Sequence, residues 1–450
     1  MEETQKKSYL FDRASLLGLI LPLVIEQLLN ILVGMADSVM VATVGEAGVS
    51  GVSLVDNIMI LFINIFAALA TGGAVIAGQY LGREDRKNAN KAATQLLWFI
   101  SIVALVITVL VYLGKPFIMN HIFGSISQEV EKNAMIYLYI VAASIPFVAI
   151  YSGAAALFRT MGDSKTSMKI SLIMNGINVF GNAICIYGLH FGTEGVAIPT
   201  LVSRIFAAVG MTALLLRKNQ RIYLERSFRY KPDWEMIRRI LFIGIPNTLE
   251  NSMFQIGKIV VLSLVSTFGT YAIAANAVGN AITLFQILPG IAINLGMIAV
   301  ISRCVGAGEY EQARYYTKML LKITYISMLV INIIVILSLP WIVKLYHLSD
   351  VTAFEVKRLV YLFGFFSVIF WPLSFTLPCT LRAAGDVKIT MIISLLSMWI
   401  FRVMFSHLLG KNLGWGLVGV WSGMFIDWVV RSIFMIWRYR SGHWERLETI

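Results

Sequence analysis

The chain has 450 residues, 58% of them hydrophobic and only 14% charged, with a formal net charge of +12 and a mean hydropathy of +0.76. A soluble domain carries about 25% charged residues, so an ordinary water-soluble fold is excluded and an all-α integral membrane protein is expected. The basic residues lie in short loops, which points to membrane topology and not to nucleic acid; Cys185, Cys304 and Cys379 are too scattered for a disulfide framework or a zinc site.

Met1 to Arg13 is short, polar and charged, and the apolar stretch behind it is too long for a secretory signal. It is expected to be a cytosolic tail. Twelve apolar spans follow, at about 15–42, 48–80, 93–114, 134–157, 167–188, 195–216, 240–267, 273–302, 318–339, 356–380, 388–409 and 416–437. Spans two and eight are long for one crossing and imply tilt or a bend near their glycines. The basic stretch 217–239 is the longest connection, and Pro232-Asp233 within it marks a helix start. The expected organisation is an N-lobe over 1–216, a cytosolic linker over 217–239 and a C-lobe over 240–450. An amphipathic helix on the inner leaflet and plain retention of positive charge both fit the linker.

Twelve spans leave both termini on one side. Of the 37 Lys and Arg residues, 27 fall in the tail, the even-numbered connections and the C-terminus, six in the odd-numbered connections and four within spans. The positive-inside rule makes both termini cytoplasmic, in a multi-pass protein of the cell inner (plasma) membrane. Its lipids are its expected surroundings, and a monomer is expected.

The chain is also written twice. Residues 22–93 align without a gap on 246–317, bringing together Pro22 with Pro246, Glu26 with Glu250, Gly45 with Gly269, Gly72 with Gly296 and Gly82 with Gly306. Arg159-Thr-Met-Gly-Asp163-Ser-Lys165 matches Arg382-Ala-Ala-Gly-Asp386-Val-Lys388 one residue out of that register. Six spans per copy make the repeats parallel, with a cleft between them as the default substrate site.

Ionisable residues inside spans each cost several kcal/mol unless they face protein or water. Here they are Glu26, Asp37, Asp56, Arg204, Glu250, Lys258, Arg402, Asp427 and Arg431. Asp37 is the sharpest: no basic residue lies within a helical turn, so it is a candidate proton carrier. Glu26 and Glu250 each follow a proline by four residues; they either face the cleft or hydrogen-bond backbone freed by that proline. Lys258 stands two turns beyond Glu250 and either sets the charge of the cleft or snorkels to the headgroups. Asp427 and Arg431 are four apart and can pair on one helix face, with Arg402 joining a structural network. Asp56 and Arg204 receive no role. The two Arg-x-x-Gly-Asp-x-Lys segments are expected to be turns or clasps.

The sequence holds no Gly-x-x-x-x-Gly-Lys loop, no His pair with metal-ligand spacing and no nucleophile motif. A transporter driven by an ion gradient, with no cofactor or structural metal and no enzymatic activity, is expected. The segments Gly34-Met-Ala-Asp37-Ser-Val-Met, Gly72-Gly73…Gly78-Gln-Tyr-Leu-Gly82, Arg159-Thr-Met-Gly-Asp163-Ser-Lys165-Thr, Gly195-Val-Ala-Ile-Pro-Thr200 and Leu381-Arg-Ala-Ala-Gly-Asp386 together resemble the multidrug and toxic compound extrusion (MATE) family. The resemblance covers essentially the whole chain. It implies two six-helix lobes splayed in a V, and export of amphipathic, often cationic, small molecules in exchange for H⁺ or Na⁺. It also implies a cation site on Asp37, Asn178 and Thr200. The family's second aspartate is replaced here by Asn182, so one carboxylate remains and one-proton exchange is the simpler expectation. A lipid-linked sugar flippase of related fold is the alternative; those usually carry fourteen spans. The major facilitator superfamily lacks its signature loop in this chain, and a channel or membrane scaffold fits a duplicated half less well.

Overall fold

The computed structural model describes residues 9–122, 127–224 and 231–447. Twelve helical units are present among them: α1 (Arg13–Ala42), α2 (Glu46–Gly82), α3 (Arg86–Leu113), α4 (Gln128–Ala142 with Ile145–Met161), α5 (Ser164–Gly188), α6 (Glu194–Leu215), α7 (Trp234–Ser266), α8 (Thr270–Gly306), α9 (Tyr310–Leu345), α10 (Asp350–Ala383), α11 (Val387–Asn412) and α12 (Gly416–Arg440). Ten are long and apolar enough to cross a membrane as they stand, and α4 is an eleventh, bent by 48° between its two pieces. The bend falls where Pro146 opens the second piece, its missing N–H and its ring interrupting the regular hydrogen-bond ladder there. α7 is 33 residues long and carries Glu250 and Lys258 within it. Large apolar side chains such as Leu113, Phe180, Trp341 and Leu345 lie on the outside, as a lipid solvent permits.

Local chemistry sets the ends. Asp12, Asp85, Asp163 and Asp233 cap α1, α3, α5 and α7 by accepting hydrogen bonds from backbone N–H groups of the first turn. Asp233 also pairs with Lys91, which holds its carboxyl below the usual carboxylate range. Residues 234–239 are already the first turns of α7, and 225–230 of the expected linker lie outside the described residues. Gly45 and Gly269 open α2 and α8 at φ +108° and +100°, a conformation that a side chain resists.

The core is divided in a way that explains the V. On the face that carries both chain ends, Leu16, Leu19 and Ile20 of α1 pack among Ile293, Met297 and Val300 of α8. Reciprocally, Met236, Ile240 and Ile243 of α7 pack among residues of α2, α3 and α4. Each half thus lends the start of its first helix to the other. Toward the opposite face the cores separate: one holds residues of the first half alone at its buried centre, Met40 and Val41 of α1 included. The other holds Leu264 and Val265 of α7 with α8, α9, α10 and α12.

The paired glycines occupy the junction. A Cβ on Gly82 would stand 2.1 Å from the Arg303 carbonyl oxygen of α8, and one on Gly306 2.0 Å from the Gln79 carbonyl oxygen of α2. Gly296 makes only ordinary contact with the side chains of Leu19, Ile20 and Leu23 of α1, whereas Gly72 is pressed by the backbone of Ile240 and Gly244 of α7. Backbones approach this closely only where side chains are missing.

Candidate functional site

In the first half, α1, α5 and α6 bring the four expected ion-site residues together. Asp37 is half-buried, while Asn178, Asn182 and Thr200 are buried. Asn182 Nδ2 donates to Asp37 Oδ1 at 3.0 Å. The hydrogen-bond network orients the Asn178 amide so that its nitrogen donates to both Asp37 oxygens, at 2.9 and 3.0 Å, and its oxygen accepts from Thr200 Oγ1 at 3.0 Å. Asn182 Oδ1 is buried without a partner.

Polar residues continue below Asp37 between α1 and α5. Asn175 Nδ2 and Ser171 Oγ both donate to Asn30 Oδ1, at 3.0 and 3.4 Å. One turn further, Ser167 Oγ donates to Glu26 at 3.3 and 3.4 Å, and Tyr151 Oη donates to Glu26 Oε1 at 3.4 Å. The seam therefore runs from Asp37 through Asn30 to Glu26. Sequence reasoning singled out its two carboxylates and missed the rungs. The signal was there: positions 167, 171, 175, 178 and 182 share one face of a 3.6-residue helix.

A second missed cluster lies beside Asp37. Tyr137 Oη donates to Asp56 Oδ1 at 2.9 Å, and Arg204 donates to Ser144 Oγ at 2.8 Å. Arg204 is within electrostatic reach of both Asp56 and Asp37. These groups come from α2, α4 and α6, with no spacing within one helix to announce them.

Glu26 and Glu250 do not occupy matching environments. Arg382 donates to Glu250 Oε1 at 2.6 Å, tying α7 to α10. Arg159, the counterpart of Arg382, reaches Glu26 only as a longer-range charge. The hydrogen bonds described for both glutamates are to side chains, not to backbone freed by proline. The Arg-x-x-Gly-Asp-x-Lys turns have Gly162 and Gly385 at φ +88° and +90°. Asp163 caps α5, whereas Asp386 receives Arg438 of α12 through two bonds of 2.6 and 3.0 Å.

In the second half, Arg431 pairs with Asp427 at 3.1 Å and Ser397 Oγ donates to the same carboxylate, all buried. Arg402 forms no ion pair with Asp427; its guanidinium lies over the Phe254 ring at 5.2 Å. Lys258 lies over the same ring at 5.1 Å. Both line a cavity of about 540 Å³.

The MatE family model matches the chain twice, at residues 22–184 and 246–408. The chain belongs to the MATE family of efflux transporters. The two matches share the offset that relates Pro22 to Pro246, so each half is one copy of the family unit. Relatives span nearly the whole length. "Uncharacterized transporter YisQ" of Bacillus subtilis is 28% identical over 96% of this chain and 94% of its own. "Probable multidrug resistance protein NorM" of Thermotoga maritima is 25% identical over 96% of this chain and 93% of its own. A crystal structure described as MATE in the straight conformation superposes with a TM-score of 0.88, covering 96% of this chain and 97% of that one, at 21% identity. The MATE fold and its V of two six-helix repeats are thereby shared. The chain is a secondary transporter and not an enzyme.

Proposed function

We propose that this MATE protein exports amphipathic small molecules by alternating access, in exchange for H⁺ bound at Asp37. The observation that carries the reading is the Asp37 cluster: one carboxylate that accepts from two amides, with a buried amide oxygen open beside it. An amide presents a donor to a carboxylate and, once turned over, an acceptor to a carboxylic acid. Asn178 and Asn182 therefore serve Asp37 in both protonation states without a second charge. Na⁺ prefers several oxygens and more negative charge, and this cluster supplies one carboxylate. Drug export is supported by the likeness to NorM of Thermotoga maritima, a probable multidrug resistance protein.

In this reading the face bearing both chain ends is cytosolic, following the excess of Lys and Arg there, and the V opens away from it. The protein sits as a monomer in the plasma membrane. Residues 1–216 and 240–450 act as the two moving lobes, with 217–239 as their connection. Protonation of Asp37 from outside loosens its hold on α5, α1 shifts, and the drug is expelled. Return to the inward-facing state releases the proton to the cytosol. Coupling follows because the two states differ in affinity for proton and drug.

Reconstituted protein loaded with a fluorescent dye tests this. Saturable movement should follow an imposed pH gradient and respond weakly to a Na⁺ gradient. Movement indifferent to both gradients would end the antiporter reading.

A further inference from the structure

The cavity of the second half is chemically unlike the Asp37 cluster. α7, α8, α10, α11 and α12 enclose it, and its charged lining residues are Lys258 and Arg402, both cations, with no acid among them. Arg402 is within electrostatic reach of Asp427, but that carboxylate is already bound by Arg431 and Ser397. Two further donors lack partners: Arg402 Nε and Trp428 Nε1 are buried with nothing to accept from them. Cations therefore gather at this space with no carboxylate among its lining residues, inside a membrane-spanning half where an unpaired cation is costly.

The walls are built rather than left over. Trp371 fills the space where Gly290 lacks a side chain, with only 2.1 Å to an ideal Cβ there, and Trp421 sits over Gly279 at 3.3 Å. Trp421 Nε1 is fixed by donating to Asn276 Oδ1 at 3.0 Å. The π-helical segments Pro372–Thr376 and Ser397–Met404 adjoin the cavity, and widened turns of this kind re-aim side chains at functional sites. Arg402 lies on the second. Arg431 brings a third cation to Phe254, at 5.8 Å from the ring.

From this geometry we infer that the second-half cavity binds an amphipathic organic anion. An aromatic body lies between Trp371, Trp421 and Trp428, and its carboxylate or sulfonate accepts from Lys258 and Arg402. A cavity of about 540 Å³ is the size of a drug-sized ligand site. The inference rests on the exporter reading and narrows it, since it adds anions to the substrates that the protein carries.

Binding can be read without any gradient, so its failure is separable from failure of coupled export. The purified full-length protein, in nanodiscs of phosphatidylcholine, is titrated with 2-naphthoate, 2-naphthamide and 2-naphthylmethylammonium, following quenching of tryptophan emission. The naphthoate should bind at least tenfold more tightly than the amide or the amine. Lys258→Gln and Arg402→Gln should each weaken naphthoate about tenfold and leave the amide unchanged, while Lys258→Arg should retain most of the affinity. Thermal unfolding of each variant confirms that it is folded. If Arg402→Gln fails to fold, the Lys258 pair of variants decides alone. No naphthoate binding by the unaltered protein, equal binding of the amine, or undiminished binding by Lys258→Gln overturns the inference. Displacement of naphthoate by phosphatidylglycerol at membrane concentrations assigns the cavity to a lipid headgroup and also overturns it.

Discussion

Asp37 concentrates the ion chemistry of the first half, and its neighbours decide which ion it serves. Asp37→Asn keeps the size and most hydrogen bonds of the side chain, so insertion and folding should persist. Dye export driven by a pH gradient should fall at least tenfold, and full export would remove Asp37 from the mechanism. The converse substitution is Asn182→Asp. It places a second carboxylate against the first, at a position whose oxygen is open. Two like charges this close repel unless a cation or proton lies between them. The variant should therefore be stabilised by Na⁺ where the parent is not, seen as a rise in its thermal midpoint with NaCl over choline chloride. The twin glutamates make a separate test. Glu250 is a buried partner of Arg382, and removing one member of such a pair costs on the order of 3 kcal/mol. Arg382→Gln should lower the thermal midpoint more than Glu26→Gln does, because Glu26 is held by long hydroxyl contacts. The double variant Glu250→Gln/Arg382→Gln should recover part of the loss, since no charge is then stranded.

Among the helices, α2 and α8 form the joint, and their glycines are the reason. Gly82→Leu and Gly306→Leu would drive a side chain into the facing backbone carbonyl. Either should lower the thermal midpoint and reduce export more than tenfold. Gly18→Ala, in open space on α1, should change neither. The sequence made this joint visible as matched glycines but not as a contact, because alignment pairs Gly82 with Gly306 without saying that each lies against the other's helix. The spans themselves were legible because a membrane demands long apolar runs, and their polar caps marked the ends. The bend in α4 was not, although Ser144-Ile145-Pro146 carried its signal. Asp37, Asn178, Asn182 and Thr200 were reachable through family resemblance. Asp56 and Arg204 were visible as misplaced charges, but their gathering with Tyr137 was out of reach, because a cluster drawn from three helices leaves no periodic trace in one chain. Lys258 and Arg402 were visible as misplaced charges. That they share a cavity with unpartnered donors is purely tertiary, since α7 and α11 lie far apart in sequence.

At the scale of the whole molecule, the packing on the terminal face must open if substrate enters from that side. Gly78 of α2 and Ser302 of α8 are placed to test it, since an ideal Cβ on Gly78 stands 3.0 Å from the Ser302 Cβ. Disulfides span Cβ separations of about 3.5–4.5 Å, so a cysteine pair at these positions needs only a slight parting of the helices. With Cys185, Cys304 and Cys379 replaced by serine or alanine, Gly78→Cys/Ser302→Cys should oxidise readily and hold the terminal face shut. Alternating access then requires that gradient-driven export stop on oxidation and return on reduction. Naphthoate binding from the open side should survive the lock, because the part of α8 that lines the second-half cavity, from Asn276 to Ile291, lies well before Ser302 along that helix. Export that continues undiminished through a fully formed disulfide would mean that this joint never opens, and that the two repeats do not rock about it.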